Sequence, residues 1–340
     1  MNGKTVKIIG ESLPNIPWQE KPENEKGVLW RHTQNPIIGR NATLNCSRVF
    51  NSAVIPWQGG FAGVFRAEHR NMRPYLHTGF SKDGIHWDID DNEIQWTDES
   101  GQPYQPQFSY DPRVTTIDGK NYVTWCTDCS GPVIGLGVTD DFKTFTRLEN
   151  ATFPYNRNGV LFPRKIKGNY VLLHRPSDNG HTSFGDIFLS ESPDLTYWGK
   201  HRKVMSAGGE SWQSLKIGAG APPIETSEGW LVFYHGVLRT CSGYVYSFGA
   251  ALLDLECPSK VLYRTGEYLL TPEEDYETVG VVPSVCFPCA VLCDAPTGRL
   301  ALYYGAADTC VALAYCNADE LIEHIKADNR LIYGDAEDYR

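Results

Sequence analysis

The chain has 340 residues, of which 41% are hydrophobic and 21% charged, enough apolar material to bury a full core without covalent staples. Its 31 basic and 41 acidic residues leave a net charge of −10, which argues against a general nucleic-acid or membrane-surface role. An anionic ligand therefore needs a local basic pocket that overcomes this background.

The N-terminal stretch MNGKTVKIIGESLPNIPWQEKPENEKG lacks the apolar stretch of a signal peptide, and no later run reaches membrane-spanning length. A cytoplasmic location is expected, with the 10 cysteines reduced. Residues 1–30 read as an arm, and residues from about 45 to 315 as β-rich. One pattern recurs: a Gly-containing turn, a strand of alternating apolar and aromatic residues, a polar loop and a second strand. Its copies are GGFAGVFRAE, DGKNYVTWCTD, KGNYVLLHRPSD, EGWLVFYHGVL and TGRLALYYGAAD. Second strands follow, and SKDGIHW, TDDFKTF and SPDLTYW repeat an acidic turn leading to an aromatic anchor.

Copies spaced by about 50 to 70 residues predict radial repetition of small antiparallel sheets, since one such unit cannot bury both faces alone. The expected fold is all-β, a five-bladed β-propeller. It forms one domain over residues 1–340, with residues 317–340 as a C-terminal helix and tail; a β-sandwich is the alternative. In NADELIEHIKADNRL, Asn317 or Asp319 can cap the helix, and Leu321, Ile322 and Ile325 form its apolar stripe. The helix would close the propeller or serve a subunit contact.

Aromatic residues make up 12%, with 9 Trp and 18 Tyr, which suits a β core and equally the aromatic platforms that stack on sugar rings. Cys126 and Cys129, and Cys286, Cys289 and Cys293, have metal-like spacing but sit in apolar strand text. They read as buried free thiols, and no metal is expected.

If the first strand of each copy lines the central channel, its polar end faces a shared funnel. That places Arg66, His174, Arg175, Asp178, His235 and Asp308 there. Segments preceding these strands add Asn51, Ser52, Asp111, Asn156, Arg157, Asn158, Arg164, Lys165 and Lys216. Asp111, in SYDPRV, could serve as a general acid if the funnel keeps a proton on it; alternatively it forms a turn and Arg113 neutralises it. An inverting hydrolase would require a second carboxylate ~6.5–9.5 Å away, for which Asp308 is the candidate. The cations suit a bound dianion instead, since guanidinium forks match phosphate oxygens. Phosphate already attacks as an anion and needs no base.

FNSAV, YDPRV, NRNGVLFPRK, RPSDNGH, KIGAG, YHGV, GYVYSFGAALLDL and YYGAAD together resemble glycoside hydrolase family 130, inverting phosphorylases of β-mannosides on a five-bladed propeller. The resemblance implies that Asp111 is the acid, acting through the mannosyl 3-hydroxyl. It implies phosphate binding by Arg157, Arg175, His235 and Tyr246. It assigns the mannosyl unit to Asn51, Ser52, Arg66, Lys216 and Asp308, and the acceptor-side sugar to Tyr110, His181, Tyr244 and Phe287. It further implies no cofactor beyond inorganic phosphate as co-substrate, and a β-1,4-mannooligosaccharide or mannosyl-β-1,4-N-acetylglucosamine as substrate. A homo-oligomer is implied too, hexamers being frequent in that subgroup. Hydrolases of the family replace the phosphate-binding cations with carboxylates, whereas this chain keeps the cations. A hydrolase and a non-catalytic sugar-binding propeller remain the alternatives.

Overall fold

Five sheets follow one another along the chain in a computed structural model that describes residues 6–177, 185–332 and Asp335. Blade one comprises Cys46–Trp57, Gly60–His69, Pro74–Ser81 and Asp88–Ile89. Blade two comprises Tyr110–Ile117, Lys120–Asp128, Pro132–Thr139 and Phe145–Arg147, widened at its outer edge by Trp96–Thr97 and Pro103–Tyr104. Blade three comprises Asn156–Leu161, Tyr170–Pro176, Ile187–Ser192 and Gly199–Met205. Blade four is built on Lys216–Ala219, Gly229–Thr240, Gly243–Leu253 and Val261–Arg264, with Ile224–Thr226 paired to its second strand. Blade five contains Cys286–Asp294, Arg299–Ala306 and Cys310–Asn317, and takes its outer strand, Trp30–Arg31, from the other end of the chain.

Both faces of each blade are apolar, and the neighbours on either side bury them. Val64 of blade one meets Val114 and Trp125 of blade two, and Ile134 of blade two meets Leu161 and Leu172 of blade three. Val160 and Leu189 pack with Trp230, Leu231 and Phe248 with Leu302, and Tyr303 and Leu313 with Phe61, closing the circle. Each such side chain contributes ~1.5–3 kcal/mol when fully buried, so the blade contacts supply most of the driving force.

The acidic turns do what their spelling predicts. Asp83 Oδ1 accepts from the amides of Ile85 and His86, Asp141 Oδ1 from Lys143 and Thr144, and Asp194 Oδ1 from Thr196 and Tyr197. A fourth case, Asp254 with Glu256 and Cys257, escapes the sequence pattern because no aromatic anchor follows it.

One expectation needs correcting. The strands GGFAGVFRAE, KNYVTWCTD, YVLLHRP, GWLVFYHGVL and RLALYYGA are the second strands of their blades. The innermost strands are the segments just before them, from Cys46, Tyr110, Asn156, Lys216 and Cys286. Regular alternation marks the second strands, whereas the innermost ones are interrupted.

The C-terminal helix Ala318–Ala327 starts from Asn317, whose side chain makes no capping bond. Its buried Leu321, Ile322 and Ile325 join the core between blades four and five, so the apolar stripe closes on the chain itself. The ten cysteines are free. Cys126, Cys286 and Cys289 are buried as expected, but Cys129 is exposed and Cys293 half-buried. Among the described residues no helix is long and apolar enough to cross a membrane.

Candidate active site

The interruptions in the innermost strands build the site. Register shifts fall at Asn51 in blade one, after Tyr110 in blade two, after Arg157 in blade three and at Cys289 in blade five. Asn51, Asp111 and Asn158 there adopt left-handed backbone, with φ of 49°, 53° and 56°. Asn and Asp tolerate this conformation better than other side chains with a Cβ. A bulge re-aims the side chain it carries, and here each turns toward the axis. Together with second-strand ends they line a pocket of about 410 Å³.

One wall is acidic. Asp111 Oδ1 accepts from Asn51 Nδ2 at 2.7 Å and from Arg66 Nη1 at 3.0 Å. Arg66 Nη2 also donates to Glu68 Oε1 at 2.7 Å, and Glu68 in turn pairs with Arg48. Burial alone would lower the Arg66 pKa, but Asp111, Asp308 and Glu68 together raise it above its ordinary value. Burial pushes the Asp308 carboxyl up to about 6, with Arg66 opposing and Asp111 adding to the rise.

The opposite wall is cationic. Arg157 and Arg175 stand directly across from one another in the ladder of blade three, a placement that like charges disfavour. Among the described residues neither forms an ion pair with a carboxylate. Arg157 donates through Nη1 to Ser177 Oγ at 2.9 Å and through Nε to the Tyr110 hydroxyl at 3.2 Å. Arg175 Nη1 donates to His235 Nε2 at 3.0 Å, so the His235 proton sits on Nδ1. Burial, reinforced by Arg175 and Lys216, holds His235 neutral. Burial lowers Arg175 to about 10, and burial with Arg175 and Arg157 lowers Lys216 to about 8. Tyr246 is pushed up to about 12 by burial and stays protonated. Asn51 Oδ1, Asn158 Oδ1, Arg175 Nε and His235 Nδ1 are buried without a partner among the described residues, the condition of a wall shaped for a polar ligand.

Asn51, Arg66, Asp111, Arg157, Arg175, Lys216, His235, Tyr246, Phe287 and Asp308 thus line one pocket. Ser52 is fully buried behind Asn51 and does not reach it. Tyr110 stands beneath the Arg66 guanidinium, 5.1 Å from it, and holds Arg157 from behind. Tyr244 is at the rim, 45% exposed, with Lys216 Nζ 5.4 Å from its ring. His181 and Asp178 lie outside the described residues.

Of the wider funnel, Asn158 is present but four residues point elsewhere. His174 bonds to Ser190 and Asn156, Arg164 to Glu225, and Lys165 lies over the Tyr170 ring. Arg113 does not neutralise Asp111. Its buried guanidinium donates to the carbonyls of Gly220, Asp111, Pro112 and Pro288, tying blades two, four and five together under the pocket.

Ser177, Leu215, Val282 and Val285 complete the wall without having been expected. Ser177 follows Arg175-Pro176 directly, a hint available in the sequence. Val282 and Val285 carry no such signal: they come from a connection placed by the short helix Asp275–Thr278, whose Glu277 bonds to Arg31 of the outer strand of blade five.

Gly305 of blade five touches this wall. A Cβ there would collide with the Asn51 side-chain amide. Gly305→Ala is therefore expected to break the Asn51–Asp111 bond and lower kcat roughly tenfold, the scale of one hydrogen bond to a charged group. Thermal unfolding of the variant, measured alongside, separates this from a loss of fold.

The model of glycoside hydrolase family 130, described as beta-1,4-mannooligosaccharide phosphorylase, matches residues 10–327. A beta-1,4-mannooligosaccharide phosphorylase of Ruminococcus albus is 54% identical over 95% of this chain and 98% of its own. A 1,2-beta-oligomannan phosphorylase of a Thermoanaerobacter species is 33% identical over 84% of this chain and 96% of its own. Among solved structures, a beta-1,2-mannobiose phosphorylase from Listeria innocua in complex with beta-1,2-mannobiose superposes with a TM-score of 0.77 at 26% identity, covering 88% of this chain and 99% of its own. With a matching family model along nearly its whole length and a relative 54% identical over 95% of it, the chain belongs to glycoside hydrolase family 130.

Proposed function

We propose that this protein is an inverting β-1,4-mannooligosaccharide phosphorylase. The observation that carries the reading is the facing pair Arg157 and Arg175, backed by Lys216 and His235, across one pocket from Asp111. A neutral glycan does not require such a wall, and the surplus of positive charge opposes the −10 of the whole chain. The name of the 54%-identical relative supplies the substrate class and linkage.

In this reading phosphate rests between Arg157, Arg175, His235 and Tyr246. One of its oxygens attacks the anomeric carbon of the terminal non-reducing mannosyl unit from the face opposite the leaving sugar. The C–O bond to the next sugar breaks, a C–O–P bond forms, and the configuration inverts to α-D-mannose 1-phosphate. Asp111 supplies the proton that the departing oxygen takes up, relayed through the mannosyl 3-hydroxyl. Arg66 and Asn51 hold Asp111 in position, and Asp308 accepts from a mannosyl hydroxyl. Phosphate is the second substrate and the reaction requires no cofactor. A homo-oligomer, with a hexamer as the form to test by light scattering, and a cytoplasmic location belong to the same proposal, since a sugar phosphate is useful only where it is retained.

The deciding experiment incubates the protein with β-1,4-mannobiose and mannotriose, with and without phosphate, and assays mannose 1-phosphate and free mannose. Sugar phosphate formed only in the presence of phosphate is the expected result. Free mannose released equally in both tubes overturns the reading in favour of hydrolysis with Asp308 as base.

A pH effect follows from Lys216. The amine is charged below about 8 and neutral above it, so it attracts the phosphate dianion most strongly below that value. The KM for phosphate is expected to rise as pH increases through 8, and Lys216→Met should flatten that part of the profile.

A further inference from the structure

Blade one holds a second gathering of reactive side chains, none of which lines the pocket. Cys46 opens its innermost strand, His69 closes the second, and His77 lies in the third. The Cys46 Sγ lies 3.8 Å from His77 Nε2, and His69 Nε2 lies 2.8 Å from the same nitrogen. One potential ligand atom from each of the three falls within 4.8 Å of the other two. Cys46 and His77 are fully buried, while His69 is half-buried and leaves a way in.

We infer that Cys46, His69 and His77 form a structural site for a zinc-like divalent cation, completed by water or by a nearby carboxylate. Three features support this beyond proximity. First, His77 Nδ1 lies 2.8 Å from the carbonyl oxygen of Asp90. Donating there fixes the tautomer and leaves the Nε2 lone pair facing the thiol and the other imidazole, the outer-shell arrangement usual for a metal-bound histidine. Second, the spacing is close to what an ion requires. Bonds of ~2.0–2.1 Å to nitrogen and ~2.3 Å to sulfur in a tetrahedron set N···N near ~3.3 Å and S···N near ~3.6 Å, against 2.8 Å for His69–His77 and 3.8 Å for Cys46–His77, with the third pair within 4.8 Å. Third, the surroundings are negative. The carboxylate of Glu93 acts electrostatically on all three side chains, with Asp91 adding its effect on Cys46 and Asp90 on His77. A proton shared between the imidazoles accounts for the His69–His77 pair alone. It does not involve the Cys46 thiol, which lies 3.8 Å from the same His77 nitrogen.

The site would pin three strands of blade one at the end that carries Glu68, and through it Arg66 and Asp111. It differs from both cysteine spacings weighed in the sequence, because its ligands are distant along the chain and meet only through strand pairing.

The test uses full-length protein purified without a polyhistidine tag, loaded with Zn²⁺ alone, dialysed and analysed for metal content. Wild type is expected to retain about one ion per chain, and Cys46→Ser and His69→Gln to fall to background. Cobalt in place of zinc should give a thiolate charge-transfer band that Cys46→Ser abolishes. His69 is the preferred variant because it is half-exposed, and circular dichroism with phosphorolysis of mannobiose reports whether it remains folded. Wild type that retains no ion, or shows no thiolate band with Co²⁺, overturns the inference. So does equal retention by wild type and both variants.

Discussion

Asp111→Asn is expected to lower kcat ~10²–10⁴-fold, the range for removal of a general acid, with little change in the KM for phosphate. The amide is the same size, and its oxygen can still accept from Asn51 and Arg66, which now reach Asp111 at 2.7 and 3.0 Å. What it cannot do is release a proton. The substitution therefore separates chemistry from architecture: the left-handed backbone at residue 111, which Asn also tolerates, is preserved. Steady-state kinetics with mannobiose and phosphate make the measurement. Normal turnover would remove Asp111 from the role of acid.

Arg175→Ala is expected to raise the KM for phosphate by about 10²-fold or more. Each hydrogen bond to a charged group contributes ~1.5–3 kcal/mol, and a guanidinium fork can make two. Arg175 is buried and faces Arg157 across the ladder, so in the empty protein the two repel each other. A dianion placed between them turns that repulsion into attraction, which gives phosphate a larger effect than one cation alone would produce. Arg175→Lys should fall between wild type and alanine, because it keeps the charge and loses the fork. Varying phosphate at saturating mannobiose separates this loss from any weakening of sugar binding. An unchanged phosphate KM would place the anion elsewhere.

The blade number, the C-terminal helix and the cationic character of the pocket were legible in the sequence because each rests on local spelling. A glycine turn followed by an alternating aromatic strand marks a second strand, and GAAD marks where the last of them ends, whereas YHG lies in mid-strand, since blade four's second strand runs on to Thr240. The innermost strands were harder to read, since Asn51, Asp111 and Asn158 break alternation where the chain bulges. His174 shows the limit of reasoning by strand ends. It is adjacent to Arg175, so it faces the other side of the blade and bonds to Ser190. The partners of Arg113 are carbonyls of three different blades, which no reading of SYDPRV alone could supply. Val282 and Val285 depend on a connection held by the Arg31–Glu277 pair, a contact between opposite ends of the chain.

The strand Trp30–Arg31, which completes blade five beside Cys310–Asn317, imposes an order on biosynthesis. The ribosome releases this strand before its partner, which follows only after the other four blades have been made. Until then the outward face of blade one, with Phe61 and Phe65, has no Tyr303 or Leu313 to cover it. A nascent chain must therefore carry an exposed apolar surface through most of its translation, the condition under which chaperones engage and aggregation competes. Because every blade contributes to the pocket, a prematurely terminated product has no reduced activity to offer and is simply a substrate for proteolysis.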